Sequence, residues 1–448
     1  MRLMLERPRK RGCRGKRKAC LINLRHLAWV AALCWGSAWA QTNEEVYREY
    51  QFNFSLPGAR ANGMGGAFIG VADDATASFS NPAGLAFLNE TAVTLDFRRR
   101  DLDNRVGDIE GNFNTQFEES GATLQNLGFF SLNFRFRSWY FGVFQYNYLD
   151  ARQDRNSISR SLSGGVERIE RRMTLLDLEG TTRGLGIAHR FGRGKLGLTL
   201  NHSQLVGRMN YARDGLVRIF GPETVILESN YSSSIDDRHD GWGYSLGFLH
   251  ETHPRFSFGL VWRDHPTLKL SEEITEIAQE IVDNTFVGQE IFNDKVTIPF
   301  VVPDVFGVGA RFKARQNLSV LLDWQRIFYS QLIEDGFLIV ESIETETREN
   351  YQIEDIDEFH LGIEWLIPTA ESVWALRTGF FKNPLHAVTY SGNDPAIEDR
   401  FTGTRLADEE HLTLGVGWVY RNRFEIDLAA NFWGDGNELI ASFIWRKK

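Results

Sequence analysis

Apolar side chains recur at every second position through long stretches of this chain, and a two-residue period is the pattern of a β-strand. In EFHLGIEWLI, residues 358–367, alternate positions hold Phe, Leu, Ile, Trp and Ile, while His360, Gly362 and Glu364 lie between them. Each such segment is about ten residues long, which is enough for a tilted strand to cross the hydrocarbon layer of a membrane. The pattern therefore predicts membrane-crossing strands.

Fourteen segments of this kind follow one another, and short turns between them alternate with long polar stretches. This alternation favours an outer-membrane barrel with short periplasmic turns and long outer loops over a soluble β-sandwich, which has no reason to sort its loops. An even number of strands returns both chain ends to the periplasmic side. The strands are predicted at 91–100, 125–136, 139–151, 181–192, 195–212, 239–250, 256–270, 302–314, 317–330, 356–367, 373–382, 409–420, 423–433 and 439–446, and the long loops at 101–124, 152–180, 213–238, 271–301, 331–355 and 383–408.

Lipid offers no hydrogen-bond partner to the backbone, so the strands must close into a ring without an edge. The predicted fold is therefore all-β: a 14-stranded antiparallel transmembrane β-barrel. The outward positions should be apolar, and the inward positions should be polar or very small. Glycines at predicted inward positions are expected to leave space in the lumen; they are Gly184, Gly186, Gly247, Gly362, Gly415 and Gly417.

The first forty residues have the features of a secretory signal. Ten basic residues and one acid precede a short apolar run, and the run ends in GSAWA, a small-residue cleavage pattern. Cleavage near Ala40-Gln41 would remove all three cysteines, excluding disulfide, zinc-thiolate and thiol chemistry. It would also change the formal net charge from −9 to −18, which argues against nucleic acid as a partner. The expected location is the bacterial outer membrane.

The segment before the first strand is rich in small residues. GARANGMGGAFIGVADDATASFSNPAGLAF includes Gly63 and Gly65, which permit close backbone approach, and Asp73 and Asp74, which are candidates to cap a turn. Such a segment suits the interior of a barrel too wide to be filled by its own side chains. The predicted organisation is a signal peptide over 1–40, an N-terminal plug in the lumen over 41–90 and the barrel over 91–448.

The stretch GMGGAFIGVADDATASFSNPAGL resembles the plug of the FadL family, outer-membrane transporters of long-chain fatty acids and other hydrophobic compounds. The shared features are the Asn81-Pro82-Ala83 tripeptide and the preceding Ala-Asp-Asp-Ala around Asp73 and Asp74. The segment 298–332 also resembles that family's paired strands. The opening at 58–66, in contrast, is similar to PorV-like barrels, partners in protein secretion or surface attachment.

The resemblance to the FadL family implies passive transport through a plugged barrel, with Asn81, Pro82 and Ala83 in the plug as a moving gate or a static turn. An outer loop would catch the ligand. The segment 271–286 has apolar residues at helical spacing, which predicts an amphipathic capture helix presenting Ile274, Ile277, Ile281 and Phe286 or else packing that face on the rim. Outer-membrane lipid, lipopolysaccharide and the barrel-assembly machinery are the other expected partners.

Five polar residues at predicted inward positions are Asp323, His360, Glu364, Glu425 and Asp427. They are candidates to bind a ligand headgroup or a proton, or simply to line a wet lumen and pair with the plug. An acidic inner wall would repel a carboxylate unless Arg190 or Arg377 offset it, which argues against free fatty acid as the substrate.

No catalytic motif occurs in a suitable context. GYSLG, residues 243–247, places its serine in a predicted strand rather than at a nucleophile elbow, and HETH, residues 250–253, lacks the spacing of a zinc helix. The chain is therefore expected not to be an enzyme and to need no metal or cofactor. Two classes of function remain: a transporter of hydrophobic small molecules, or a PorV-like docking barrel.

Overall fold

The computed structural model describes residues 55–104, 114–117, 120–334, 350–386, 388–392, 408–434 and 436–447. The predicted signal peptide and residues 41–54 of the predicted plug lie outside these ranges. The helices are α1 (Ala59–Gly63), α2 (Ala77–Ser80), a 3-10 helix (Pro82–Phe87) and α3 (Gln331–Glu334). The strands are β1 (Thr91–Asn104), β2 (Asn114–Phe117), β3 (Ser120–Phe136), β4 (Trp139–Ser163), β5 (Val166–Phe191), β6 (Gly194–Ile219), β7 (Val225–His253), β8 (Phe256–Asp264), β9 (Thr267–Val282), β10 (Thr285–Val301), β11 (Val305–Arg315), β12 (Leu318–Ile327), β13 (Tyr351–Gln352), β14 (Ile356–Pro368), β15 (Ser372–Asn383), β16 (Thr389–Tyr390), β17 (Glu409–Tyr420), β18 (Phe424–Trp433) and β19 (Gly436–Lys447).

The main sheet closes on itself because the first strand pairs with the last. Thr91 of β1 is opposite Lys447 of β19, and the antiparallel register continues to Leu102 opposite Gly436. Twelve strands cross the barrel whole, and β8 with β9 and β10 with β11 form two further crossings. The predicted fourteen-stranded antiparallel barrel is therefore confirmed.

The two divided crossings are both interrupted at a proline. Pro266 separates β8 from β9, and Pro303 separates β10 from β11. Proline has no N–H to donate to a sheet ladder, so it interrupts strand pairing where it occurs. The backbone N–H of His265 instead donates to the Asp304 carboxylate at 2.8 Å, which joins the two breaks.

The alternation separates two environments, as predicted. On β14, Phe359, Leu361, Ile363 and Trp365 are exposed on the outer surface. His360 and Glu364 of the same strand are buried in the interior. A fourteen-stranded barrel with an apolar outer face is an outer-membrane architecture.

Three predicted loops are wrong. Most of 152–180, 213–238 and 271–301 extends the β4–β5, β6–β7 and β9–β10 hairpins, with β7 reaching 29 residues. About ten residues suffice to cross the bilayer, so the remainder projects beyond it on one side of the barrel. These stretches are polar because the projecting strands are outside the lipid.

The predicted amphipathic helix over 271–286 is also wrong. These residues form most of β9 and the start of β10, and β9 pairs with β7 on one side and β10 on the other. Ile274 packs against an interior apolar cluster, whereas Ile277 pairs with Ile291 and Ile281 with Phe286. The four predicted capture residues therefore share no helical face, because ladder hydrogen bonds on both edges outweigh the local helical spacing.

Among the residues described, no helix is both long enough and apolar enough to cross a membrane.

Candidate functional site

Residues 55–90, here called the leading segment, lie inside the barrel. Helix α1 contacts β15, β17, β18 and β19, and the 3-10 helix contacts β4, β5, β6 and β7. Most of the segment is buried, including Met64, Phe68 and Ile69 without exposed surface. The segment therefore spans the lumen from one wall to the opposite wall.

The inward glycines admit this segment. A Cβ atom on Gly247 of β7 would lie 2.2 Å from Oδ1 of Asn81, and one on Gly379 of β15 would lie 2.2 Å from the amide nitrogen of Gly65. Gly65 itself has a φ of +64°, a conformation that favours glycine. The space expected at Gly186, Gly247, Gly362 and Gly415 is occupied by the leading segment. At Gly184 and Gly417 it is occupied by neighbouring wall side chains instead.

Asn81 fixes the backbone of the predicted gate to the wall. Its Nδ2 lies 3.1 Å from the Ile69 carbonyl oxygen and 3.3 Å from those of Phe248 and Leu260 in β7 and β8. Its Oδ1 accepts a hydrogen bond from the Ala83 amide at 3.2 Å, and Pro82 begins the 3-10 helix. The tripeptide is therefore a capped turn attached to two strands.

A chain of ion pairs joins the leading segment to the other wall. Arg60 of α1 pairs with Asp73 at 2.6 Å and with Glu364 of β14 at 2.9 Å. Glu364 also pairs with Arg377 of β15 at 3.0 Å, and Arg377 with Asp427 of β18 at 2.5 Å. Glu364 and Asp427, two of the acids proposed as ligand contacts, are thus neutralised internally. Glu425 is likewise paired, with Arg446.

Asp74 organises the segment itself. Its Oδ1 accepts hydrogen bonds from the backbone N–H of Thr76 at 2.8 Å and from the Thr76 hydroxyl at 2.7 Å, just before α2. Burial raises the pKa of this carboxyl, and the nearby Arg60 guanidinium opposes that shift. These contacts close a turn immediately before α2.

Two further predicted residues hold the backbone around Phe68. The carboxylate of Asp323 accepts hydrogen bonds from the Phe68 and Ile69 amides at 2.6 and 2.7 Å. Nδ1 of His360 lies 2.7 Å from the carbonyl oxygen of Gly65. Both side chains are occupied by the leading segment rather than open to a ligand. Arg190, in contrast, is exposed beside the β5–β6 turn and lies outside this group.

Beyond the leading segment, towards the end of the barrel where the β4–β5, β6–β7 and β9–β10 hairpins project, the lumen is lined by a large apolar cluster. It joins barrel strands to the residues after β12 and around β13, with Tyr329 and Leu332 almost fully buried. Its buried members are Leu149, Leu176, Leu178, Leu205, Met209, Tyr211, Tyr231, Ile235, Leu268, Leu270, Ile298, Phe300, Val301, Val302, Val305, Ile327, Tyr329, Leu332, Tyr351, Ile353, Ile356 and Val388.

A cavity of about 20 Å³ separates part of this cluster from the leading segment. Phe79, Tyr146, Tyr148, Pro266 and Val302 form its apolar lining. The polar lining comprises Thr182, Asn201, Ser203, Ser245 and His265. It contains no carboxylate, ammonium or guanidinium group. This volume holds about one water molecule, so a larger ligand requires side-chain movement.

The wall is incomplete near this cavity. β3 pairs with β4 only from Phe129 to Phe136, while 120–127 of β3 pairs with β1 alone in the described sheet. β4 also bulges at Tyr148, where its register with β5 shifts. A second cavity of about 40 Å³ lies at this gap and shares Tyr146 and Tyr148 with the first. Nδ2 of Asn126 and Oδ2 of Asp150, 2.6 Å apart, bridge the gap.

Sequence reasoning missed Arg60 and Arg263. Arg60 is the sole basic residue of 55–90, and a lone cation in a small apolar segment signals a buried acidic partner. Arg263 of β8 is buried, donating to the Ser80 carbonyl at 2.7 Å and lying over the Phe79 ring. Within the described ranges no carboxylate lies within 4 Å of Arg263, and only its inward position in the strand period could have identified it.

Solved structures show the same architecture. A Pseudomonas aeruginosa FadL homologue matches with a TM-score of 0.54 at 11% identity, covering 89% of this chain and 98% of its own. The Pseudomonas putida toluene transporter TodX matches with a TM-score of 0.54 at 11% identity, covering 88% and 99%. The Ralstonia pickettii toluene transporter TbuX matches with a TM-score of 0.51 at 15% identity, covering 88% and 100%. The chain has the FadL-type barrel fold.

No family model matches the sequence, and no curated protein matches it. The likeness to these transporters is therefore one of FadL-type fold.

Proposed function

We propose that this chain is a passive outer-membrane channel for uncharged hydrophobic small molecules, and that the leading segment is its plug. The observation that carries the proposal is that the interior apolar cluster, the cavity beside Phe79 and the cavity at the gap between β3 and β4 adjoin one another through shared lining residues. A barrel that served only to dock a partner would need neither an apolar interior nor an incomplete wall. The fold shared with the toluene transporters TodX and TbuX supports small aromatic compounds as the substrate class.

The lining of the cavity favours an uncharged substrate. Aromatic and aliphatic groups cover one side, and hydroxyl, amide and imidazole groups cover the other. Glu364 and Asp427 of the inner wall are already paired with Arg60 and Arg377, so no free cation among those pairs is available to a carboxylate. Arg263 is separated from the cavity by its stack on Phe79. A neutral aromatic ring therefore suits this site better than a fatty acid.

We further propose that the substrate leaves sideways into the membrane. Exit towards the periplasm would require movement of the leading segment, which Asn81 and the Arg60 ion pairs hold in place. On the sideways route, only the side chains of Tyr146 and Tyr148 separate the two cavities. Eight paired residues of β3 place the gap about 20 Å above the periplasmic end of the sheet, in the outer part of the hydrocarbon layer. A channel with these parts needs no catalytic group, and the chain acts as a transporter rather than an enzyme.

Uptake of radiolabelled toluene by a Gram-negative host without such a channel tests the proposal. The full-length chain should raise the uptake rate of toluene but not that of benzoate, its carboxylate analogue. Ser203→Trp, which places a large ring in the first cavity, should return toluene uptake to the background. Ser234→Trp, at an exposed position of β7, is the matched control and should not.

Heat-modifiable migration in gels should show that each variant is folded in the membrane. Equal toluene uptake with and without the folded protein would exclude the channel. Equal uptake by the Ser203→Trp and wild-type proteins would show that the substrate takes another route.

A further inference from the structure

The periplasmic end of the barrel is basic, although the chain as a whole is acidic. All six turns at this end lie in the described residues, and five of them carry exposed arginine at or beside the turn. The sixth, between β14 and β15, carries Glu371, which pairs with Arg421 of a neighbouring turn at 2.6 Å. The arginines at the five basic turns are Arg137, Arg193, Arg255, Arg315, Arg421 and Arg423.

Five of these side chains have no acidic partner in the described part of the chain. No carboxylate there lies within 4 Å of the guanidinium groups of Arg137, Arg193, Arg255, Arg315 or Arg423. This chain has 59 acidic and 50 basic residues, so there are enough acidic residues to pair with every arginine. We call these five residues the arginine ring. A set of like charges left without counter-charges raises the local positive potential.

The arginine ring lies directly beside the lipid-facing aromatic side chains. The Arg137 guanidinium is 5.3 Å from the centre of the Phe136 ring, and that of Arg423 is 5.5 Å from that of Phe424. Exposed aromatic residues also adjoin the other turns, as Phe191 does beside Arg193 and Phe256 beside Arg255. Aromatic girdles mark the level at which a barrel meets the lipid headgroups. The ring is therefore at the headgroup level of the inner leaflet.

We propose that the arginine ring binds the phosphate groups of anionic phospholipids in the inner leaflet. A guanidinium group donates two parallel hydrogen bonds to a phosphate, and basic side chains at a membrane surface attract anionic lipid. Successive periplasmic turns are separated by two strands, roughly 10 Å or more. That spacing suits an array of separate headgroups around the barrel. A single acidic protein docked below the barrel fits this arrangement less well, because the arginine side chains lie beside aromatic residues that face outward to the lipid.

The experiment uses the purified full-length protein in neutral detergent, with retained lipid measured by native mass spectrometry. Phosphatidylglycerol and phosphatidylcholine are the lipid probes, and poly-glutamate represents an acidic protein surface. The ring variant carries R137Q, R193Q, R255Q, R315Q and R423Q. The matched control carries R160Q, R168Q, R171Q, R208Q and R238Q, which remove the same charge from exposed positions at the opposite end.

Wild-type and control proteins should retain phosphatidylglycerol in preference to phosphatidylcholine, and added salt should weaken that retention. The ring variant should lose about tenfold or more of its phosphatidylglycerol affinity. Replacing the same five residues with lysine should preserve most of the salt-sensitive affinity, because the charge remains. The lysine variant also keeps the proposal testable if the glutamine variant does not fold.

Equal phosphatidylglycerol affinity of the ring and control variants would overturn the proposal. Binding of poly-glutamate at least as tight as that of phosphatidylglycerol would overturn it in favour of an acidic protein partner. The readout is lipid binding alone, so its outcome is independent of toluene uptake.

Discussion

Arg60 in the leading segment and Glu364 in β14 form a two-point ion pair, with Nε to Oε1 at 2.9 Å and the second guanidinium nitrogen to Oε2 at 3.2 Å. This contact connects a residue that precedes the first strand to a wall strand near the other end of the chain. Both side chains are largely buried, so the pair is a direct attachment of the proposed plug.

Removing one partner should loosen the plug. Arg60→Gln removes one of the two cations that pair with the buried Glu364 carboxylate. Breaking a buried ion pair in this way lowers the free energy of unfolding by about 3 kcal/mol. The variant should unfold at a lower denaturant concentration and admit more small polar solute in liposome-swelling assays. Lys382→Gln breaks an exposed pair with Asp408 and should change both measurements little. Solute permeability of Arg60→Gln equal to that of wild type would show that this pair does not hold the plug.

Adding one methyl group at Gly247 should displace the Asn81 turn. The new Cβ would lie 2.2 Å from Oδ1 of Asn81 and 2.8 Å from the Ala83 amide nitrogen, distances that require the turn to move. Overpacking of this kind costs about 1–3 kcal/mol. Gly247→Ala should therefore increase protease cleavage within 77–88 of the folded barrel. Gly288→Ala is the control because no heavy atom lies within 4 Å of its Cβ position. Equal cleavage of the two variants would contradict the tight docking described above.

Closing the gap between β3 and β4 should block lateral exit. Asn126→Cys with Asp150→Cys replaces two side chains whose polar atoms are 2.6 Å apart. The natural cysteines all precede residue 41, so a chain without the predicted signal carries only the engineered pair. Oxidation should reduce toluene uptake towards background, and reduction should restore it. Undiminished uptake by fully oxidised protein would direct the exit to the periplasmic end.

Acidification should loosen the outer connection after β15. Burial lowers the pKa of His386 below its usual value near 6.5, while the Pro384 carbonyl and the Glu358 and Glu409 carboxylates oppose the shift. The folded connection therefore binds this proton less readily than the unfolded one. Its stability is full above about pH 6.5 and decreases as the pH falls below that value.

Hydrogen exchange measures this effect at the amides flanking His386. After correction for intrinsic rates, exchange should be faster at pH 5.5 than at pH 7.5 in wild type, and His386→Phe should remove the difference. His189→Phe, at a half-buried position near the periplasmic end of β5, should retain it. A pH-independent exchange rate in wild type would show that the His386 site accepts a proton without loosening.

Local pattern was sufficient for the wall and insufficient for one of its segments. The alternation in 358–367 predicted β14 correctly because lipid and lumen impose opposite demands on successive side chains. Residues 271–286 carry apolar groups that fit helical spacing and strand pairing alike. Only the pairing of β9 with both β7 and β10 decides between them, and β7 is distant from β9 in sequence.

The interior shows the same division. The small residues of 58–87 and the inward glycines predicted close packing in the lumen, but the sequence does not show that Gly247 receives Asn81 or that Gly379 receives Gly65. The inward acids were predicted as a group, and their assignment to Arg60 and Arg377 required coordinates.

The sequence by itself determined that this chain makes a closed barrel of fourteen crossings, because backbone groups in lipid have no other partners and the two-residue period records which face meets them. The tertiary structure alone decided where the wall is interrupted, how far the hairpins project and which charges neutralise one another. Those features depend on register and on contacts between residues far apart along the chain, which no local pattern encodes.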